Sequence, residues 1–571
     1  PTEAVGLGFQ RRFARLVAAH AGPPSALGPS DFVEVGTADQ RAVVEALIRR
    51  WSMESPTWTV VVADRGRGKS AALGLALRAA GKRAWVTAAE PAQTDEVRAF
   101  GAVPFIAIEA LIGHGQADSA EAEAGPPEVI VVDEAAAVPV PVLKQLVTAH
   151  PQAHFAWATT VRGYEGTGRG FALRFVPWLE AQAARGAATP GVERVVTLSM
   201  RAPIRWPEDD PLERFVFRAL ALDAEPVALD EPRAEVGTEA SLIARESLAD
   251  PRGETDLRDL FGLLVHAHYR TTPSDLWRMI DAPNLAVHAV RRGGRVVATS
   301  IVAREGGLDA AQCEAIHRGQ GRIRAHALAD ALVAHLGHRD AGALRMVRSV
   351  RVATHPELRR LGLGRMLVEH VHETYEDEVD LFGTLFGATA ELLAFRHALG
   401  YRVVRVSASR GARTGEPSVL MLRPVTAEAE LLFATLRAEL ARDLPTQLAL
   451  LASELVLEPA LIEALAFELP PPATFDAASA LHTTREYVGG PRTFESVALA
   501  VRLTLEAHPD QVHALPLALG ALVTARALEG RTWAEARRRS GLPSVAAAMR
   551  AMRRAVRAVV DGLPDSAPRP P

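Results

Sequence analysis

Two short segments hold residue types whose spacing could do chemistry. In TVVVADRGRGKSAALGLAL an apolar strand runs into a glycine-dense turn, Ala63 to Ser70, and a helix follows Gly68-Lys69-Ser70. Amides of such a turn and the positive end of its helix attract phosphate oxygens, which assigns Asp64, Arg65, Gly66, Arg67 and Gly68 to a phosphate cradle. Lys69 would neutralise the terminal phosphates, and Ser70 could ligate Mg2+. The usual first glycine of this pattern is Ala63 here. A second apolar run, VIVVDEAAAVP, ends in Asp133-Glu134. Asp133 suits a water-held Mg2+ and Glu134 the polarisation of an attacking water, so the pair of segments reads as an ATP-hydrolysing site.

The other segment is MVRSVRVATHPELRRLGLGRMLVEHV. A strand ending at Val352, Ala353 and Thr354 leads into Arg359-Arg360-Leu361-Gly362-Leu363-Gly364-Arg365, where a helix starts. This turn resembles the pyrophosphate loop of GNAT-type acetyltransferases, in which successive amides face the CoA pyrophosphate. The following GTLFGATAELLAFRHALGYRVVRV repeats the strand, helix and Gly-Tyr order of that fold's second half.

The elements that must carry these segments follow from the apolar pattern. At 571 residues the chain exceeds a single core. TWTVVVA, KRAWVTA, VPFIAI, PEVIVVD, HFAWATTV and ERVVTLSM alternate with helical stretches, as the strands of a parallel sheet do. LAVHAVRR, RVVATSIVA, MVRSVRVAT, YRVVRVSAS and PSVLMLRP mark a second sheet. Beyond residue 425 the pattern is helical. The reading is a multidomain α/β chain: an N-terminal helical segment (1–30), a RecA-like P-loop ATPase domain (31–225), a GNAT domain (226–425), a helical tRNA-binding domain (426–565) and a disordered tail (566–571). The polar stretch LDEPRAEVGTEASLIARESLADPRGETD reads as an inter-domain segment.

Composition narrows the class. A lone cysteine, Cys313, excludes an internal disulfide and a multi-thiolate zinc site. No window offers the roughly 20 apolar residues of a membrane span, and no signal peptide is legible, so a cytoplasmic protein is expected. A net charge of -4 does not advertise nucleic acid, yet all basic residues except Lys69, Lys82 and Lys144 are arginine, whose planar fork suits phosphates and base edges.

Taken in order, ADRGRGKSAALG, VDEAAAVPVPVL, TTVRGYEGTGRGF, PIRW, LLVHAHYRTTPSDLWRM and THPELRRLGLGRML resemble the motifs of the tRNA(Met) cytidine acetyltransferase family. The resemblance runs from about residue 30 to 425, with a shortened N-terminus and a looser helical end. It implies N4-acetylation of the wobble cytidine of elongator tRNA(Met), with acetyl-CoA, ATP and tRNA as ligands and no obligatory protein partner. It also implies that Gln40 reads the adenine and Arg205 contacts the nucleotide. Val352 to Thr354 and Arg359 to Arg365 would bind acetyl-CoA, with Glu391 near it. Arg322, Arg324 and His326, in HRGQGRIRAHAL, become RNA contacts.

The chemistry asks for more. Cytidine's amine has a delocalised lone pair, so His355, just after the strand, is the expected general base, and the Val352-Ala353 amides are the expected oxyanion contact. In the C-terminal helices Arg537, Arg538, Arg539, Arg550, Arg553, Arg554 and Arg557 recur at helical spacing, and Arg553 and Arg554 are taken as RNA-binding. The glycine-dense loop around Tyr164, Glu165 and Arg169 suits a coupling element. Two competing readings are a lysine acetyltransferase with a nucleotide-sensing ATPase domain and an RNA remodeller with an inactive transferase half.

Overall fold

The computed structural model describes residues 7–20, 36–112, 125–160, 171–185, 194–229, 237–267, 271–410, 416–453, 457–472 and 475–563. The loop around Tyr164, Glu165 and Arg169 and the tail from residue 566 lie outside them.

A first sheet is wholly parallel. Its strands are β1 (Trp58–Ala63), β2 (Ala84–Thr87), β3 (Val129–Val132), β4 (His154–Thr159) and β5 (Val195–Met200), in the order β2-β3-β4-β1-β5. Helices cover both faces, which is why β3 and β4 are fully buried and apolar except at the ends of β4, His154 and Thr159. Val43, Leu47, Trp51, Leu73, Leu77 and Val97 pack one face; Leu143, Leu146, Phe175 and Leu179 pack the other. VPFIAI is not a strand. Phe105 makes one isolated bridge to Val86, and the chain turns into a helix at Ile108–Leu111. Single-face burial there looks in sequence like a short strand.

The second sheet is mixed. Its strands are β6 (Thr238–Ile243), β7 (Leu285–Arg292), β8 (Arg295–Gly306), β9 (Arg345–Thr354), β10 (Leu381–Gly387), β11 (Arg402–Arg410) and β12 (Pro417–Pro424), ordered β11-β12-β10-β9-β8-β7-β6. β6 falls in the stretch read as an inter-domain segment. As an edge strand it buries little beyond Ile243, so its sequence TEASLI carries no strong pattern. Helices Glu254–Ala267 and Pro273–Asp281 pack one face and Leu363–Tyr375 the other. Ala221 and Ala224 already belong to this second core, so the packing changes hands before residue 225. The long helix Ala427–Ala452 also buries Leu436, Leu440 and Leu444 against this sheet, and a separate helical core gathers Val501, Leu522, Met552, Val556 and Val559.

Helix Gly8–His20 fastens these parts together. Asp281 caps its start by accepting from the amides of Gly8 and Phe9 at 2.9 and 3.1 Å. Arg12, 1% exposed, donates to the carbonyls of Ala219 and Arg218 and to both carboxylate oxygens of Glu254. Those carbonyls end helix Pro211–Ala219, where a cation is favoured. Removing one partner of a buried pair leaves the other charge uncompensated, at a cost of about 3 kcal/mol. Arg12→Ala is therefore expected to lower the first thermal unfolding midpoint by several degrees, read by scanning calorimetry; an unchanged midpoint would show that this helix carries no load.

Candidate nucleotide and acyl-CoA sites

Gly66 and Gly68 both adopt positive φ, +79° and +75°, a conformation side chains rarely take. Space forbids a side chain as well: a Cβ on Gly66 would lie 2.5 Å from the Trp206 ring, and one on Gly68 2.3 Å from Ile204. The turn is tied from above, since the Ile204 amide donates to the Gly66 carbonyl at 2.8 Å. Asp39 accepts from the amides of Arg201 and Ala202, first among the causes that hold its carboxyl below the usual range. Gln40, buried, donates from its side-chain amide to the Gly68 carbonyl at 3.2 Å, which places it on the phosphate turn.

Helix Lys69–Ala80 starts at Gly68 with no side chain capping its first amides. Lys69 is buried, with Nζ 3.0 Å from the Thr160 hydroxyl, 3.4 Å from the Ala63 carbonyl and 4.0 Å from Glu134. Thr160, at the end of β4, also donates toward both Glu134 oxygens at 3.3 and 3.4 Å. Glu134 itself sits at φ +42°, a strained setting that turns it out from β3. Asp133 is fully buried, and burial pushes its carboxyl up to about 6 against the pull of the Ser70 hydroxyl. Its Oδ2 makes no hydrogen bond. An orphaned buried carboxylate oxygen beside a serine hydroxyl fits a phosphate-bound Mg2+.

Not every residue of the turn faces phosphate. Arg67 is buried and pairs with Glu213 at 2.6 Å, while its Nε donates to the Arg201 carbonyl, so its side chain braces the turn from behind. Asp64 is half-buried and Arg65 exposed. Arg205 is exposed between Ile204 and Trp206, the two residues lying over the glycines. Asp39, Thr160 and Trp206 escaped the sequence reading because they come from three separate elements and meet only in the fold.

The second site repeats the device. Helix Leu363–Tyr375 starts at Gly362, φ +83°, with no side-chain cap, and a Cβ on Gly362 would meet nothing within 4 Å. Arg360 also takes positive φ, +64°, so the amides of this turn are held in a bent cradle. Arg359, Arg360, Leu361 and Arg365 are exposed, Arg365 pairing with Glu369 at 2.7 Å; Leu363 is buried as an anchor. Gly364 lies against Thr354, the last residue of β9: a Cβ there would be 3.4 Å from the Thr354 hydroxyl. Glu391 is exposed in the first turn of helix Ala390–His397.

β9 and β10 run parallel only from Met346-Leu381 to Ser349-Thr384. Beyond that β9 pairs with β8 alone while β10 continues against β12. Burial changes at the same point: Leu381 to Thr384 are buried and Leu385 to Gly387 only half so, and Val350 to Val352 are half-exposed although their strand is central. The strands part there and open a gap that ends at the glycine cradle. Val352 and Thr354 edge it, while Ala353 is buried toward helix Glu254–Ala267.

His355 does not suit a general base. It is 3% exposed, its Nε2–H donates to the Val227 carbonyl at 2.8 Å and its Nδ1 accepts from the Glu357 amide at 3.4 Å. Both nitrogens serve the backbone, so the ring is a turn cap. His326 is similarly placed, its Nδ1 accepting from the Gly306 amide and its pKa lowered by burial. Arg322 and Arg324 are exposed. Arg553 is not free for RNA either: it donates to the carbonyls of Tyr487, Gly490 and Arg492 and stacks on the Tyr487 ring, closing the end of helix Ala477–Gly489. Arg557 donates to the Val488 carbonyl. Arg550 and Arg554 stay exposed beside a cavity of about 400 Å³ lined also by Met549, Arg553 and Arg557. Arg537 donates to the Leu542 carbonyl, and Arg539 pairs with Glu529. Cys313 is buried, and burial raises its thiol, which makes it a packing residue.

Comparison with known proteins fits both halves. Residues 60–223 match the family model for the helicase domain of RNA cytidine acetyltransferase NAT10/TcmA, and residues 259–379 match the model GNAT acetyltransferase 2. The tRNA(Met) cytidine acetyltransferase TmcA of Nitrosococcus halophilus is 39% identical over 433 residues, 72% of this chain and 56% of that protein. The protein of the same name from Haloarcula marismortui is 38% identical over 75% of this chain and 60% of its own length. That from Yersinia pestis is 34% identical over 71% of this chain and 56% of its own length. The chain thus spans little more than half the length of these curated relatives. Among the described residues no helix is long and apolar enough to cross a membrane.

Two outcomes follow from the geometry. The unfolded chain loses the Asp133 proton near 3.8 and the folded one near 6, so the folded state binds more proton between them and stability falls as pH rises through that window. Asp133→Asn is expected to raise stability without nucleotide at pH 7.5, by at most about 3 kcal/mol, and to change little at pH 4; a variant less stable at pH 7.5 would contradict this. His355→Gln should cost stability yet leave the pH profile of acyl transfer in place, whereas loss of its acid-side limb would restore the histidine as a base.

Proposed function

We propose that this chain acetylates the exocyclic amine of a cytidine in tRNA from acetyl-CoA, and that its ATPase half presents the base to the transferase half. The relatives named tRNA(Met) cytidine acetyltransferase make the wobble cytidine of the elongator tRNA(Met) the expected target, in the cytoplasm. One observation carries the reading: a single chain joins a phosphate turn backed by a buried, orphaned carboxylate to a sheet whose central strands part beside an uncapped helix.

In this reading Lys69 neutralises the terminal phosphates, Ser70 and Asp133 hold Mg2+, and Glu134, aligned by Thr160, polarises the attacking water. The amides from Gly362 to Arg365 hold the CoA pyrophosphate, and the open side of β9 receives the arm and thioester. A base stacked in an RNA loop must be exposed before an amine can reach that thioester, at a cost of a few kcal/mol, and hydrolysis offsets it. Exposed Arg322, Arg324, Arg550 and Arg554 would meet the RNA backbone.

Nucleoside mass spectrometry of tRNA incubated with the protein and acetyl-CoA tests this. Acetylcytidine is expected with ATP, and Lys69→Ala should reduce it to the level seen without ATP. Equal yields with and without ATP would remove the motor role. Absence of acetylcytidine under every condition would remove RNA as the acceptor.

A further inference from the structure

Arg396 lies on helix Ala390–His397 and is 7% exposed. Its Nη2 donates to the Ser349 hydroxyl at 2.8 Å, and its Nη1 is buried with no hydrogen-bond partner. The rings of Phe395 and Tyr401 stand 5.5 and 5.4 Å from its guanidinium carbon. No carboxylate among the described residues offsets its charge, and burial lowers its pKa, with Tyr401 opposing. A buried cation with an idle donor is costly to keep, and such a group calls for a partner.

Its place supplies one. Ser349 is the last β9 residue paired with β10, so Arg396 stands where the gap begins. The glycine cradle stands where it ends, at Thr354. The five residue steps from Ser349 to Thr354 cover roughly 17 Å at ~3.3 Å each. That is the reach of an extended pantetheine arm, whose two amides can pair with the open edge of β9. A coenzyme with its pyrophosphate on the cradle therefore brings its sulfur to the Ser349 end.

We propose that Arg396 Nη1 donates to the thioester sulfur of acyl-CoA and holds the coenzyme thiolate as it leaves. The inference rests on the acetyl-CoA reading of the gap. When the acceptor amine attacks, an N–C bond forms, the C–S bond breaks and its electron pair goes to sulfur. The amine's proton passes to water, and the thiolate takes a proton from solvent after release. Arg396 keeps its own protons throughout and only stabilises charge that is absent from the intact thioester, which is what makes such a contact accelerate transfer.

The neighbours leave this titration clear. His372, whose Nε2 meets the Tyr401 hydroxyl at 2.9 Å, is pushed down to about 3 by burial and by Arg423 and Arg396. Burial raises the Tyr401 phenol. With His372 neutral and Tyr401 protonated, a group titrating here below free CoA is the coenzyme thiol.

The test compares CoA with desulfo-CoA on the full chain, using wild type, Arg396→Lys and Arg396→Met. Calorimetry gives affinities, and thiolate absorbance against a protein blank gives the bound thiol's titration. In wild type and Arg396→Lys the bound thiol should titrate about one pH unit below free CoA, which is about tenfold in thiolate affinity. Arg396→Met should return it to the free value and lose CoA affinity progressively as pH rises through the two thiol titrations, approaching tenfold only above both, while binding desulfo-CoA as wild type does, which also shows that it folds. An equal loss for both ligands, or one thiol titration in all three proteins, would reduce Arg396 to packing. Failure of wild type to bind either ligand would instead remove the acetyl-CoA reading and this proposal with it.

Discussion

Two helices that begin on a left-handed glycine govern this molecule. An α-helix leaves its first amides unpaired, and several helices here answer with a threonine, serine or aspartate, as Thr37, Asp210, Thr426 and Ser544 do. Helices Lys69–Ala80 and Leu363–Tyr375 start instead on a left-handed glycine. Their amides are left for an anion, and each sits at the end of a central strand, where the sheet delivers further groups to the same point. Around the first, the sheet brings Asp133, Glu134 and Thr160 from β3 and β4. Around the second it brings no acid, only a gap made by the parting of β9 from β10. The first arrangement suits a phosphate to be cleaved, the second a long molecule to be held, as the proposed function requires.

What could be read in the sequence follows from how local each feature is. The strand-turn-helix segments at Ala63 to Ser70 and at Val352 to Arg365, and the Asp133-Glu134 pair, are contiguous, and their glycines are required by backbone geometry, so composition and order suffice. β6 was hidden because an edge strand needs little burial, and VPFIAI misled because one buried face over six residues suits a strand or a bend equally well. Side-chain roles were less legible. His355 and Arg553 are of the right type and near the right place, but carbonyls from residues over sixty or a hundred positions away claim them. Arg67 stands inside a phosphate motif and still faces Glu213. A motif specifies backbone; it does not say which way each arginine turns.

A run of polar contacts links the phosphate turn to the helix that packs under the second sheet. Arg67 in the phosphate turn pairs with Glu213 on helix Pro211–Ala219; the last carbonyls of that helix accept from Arg12; and Arg12 pairs with Glu254 at the start of the helix that packs under β8 and β9. Contiguity alone is not coupling. It does set a constraint on motion, because every link is a buried or half-buried charge. A displacement of Gly66 to Gly68 that moves Arg67 must either carry helix Pro211–Ala219 with it or break a pair whose rupture costs about 3 kcal/mol. Carrying the helix keeps both pairs, and the Arg12 contacts, hence Glu254, would follow it. On that course a rearrangement at the phosphate turn would reach the second sheet through packed helices rather than by loosening either core.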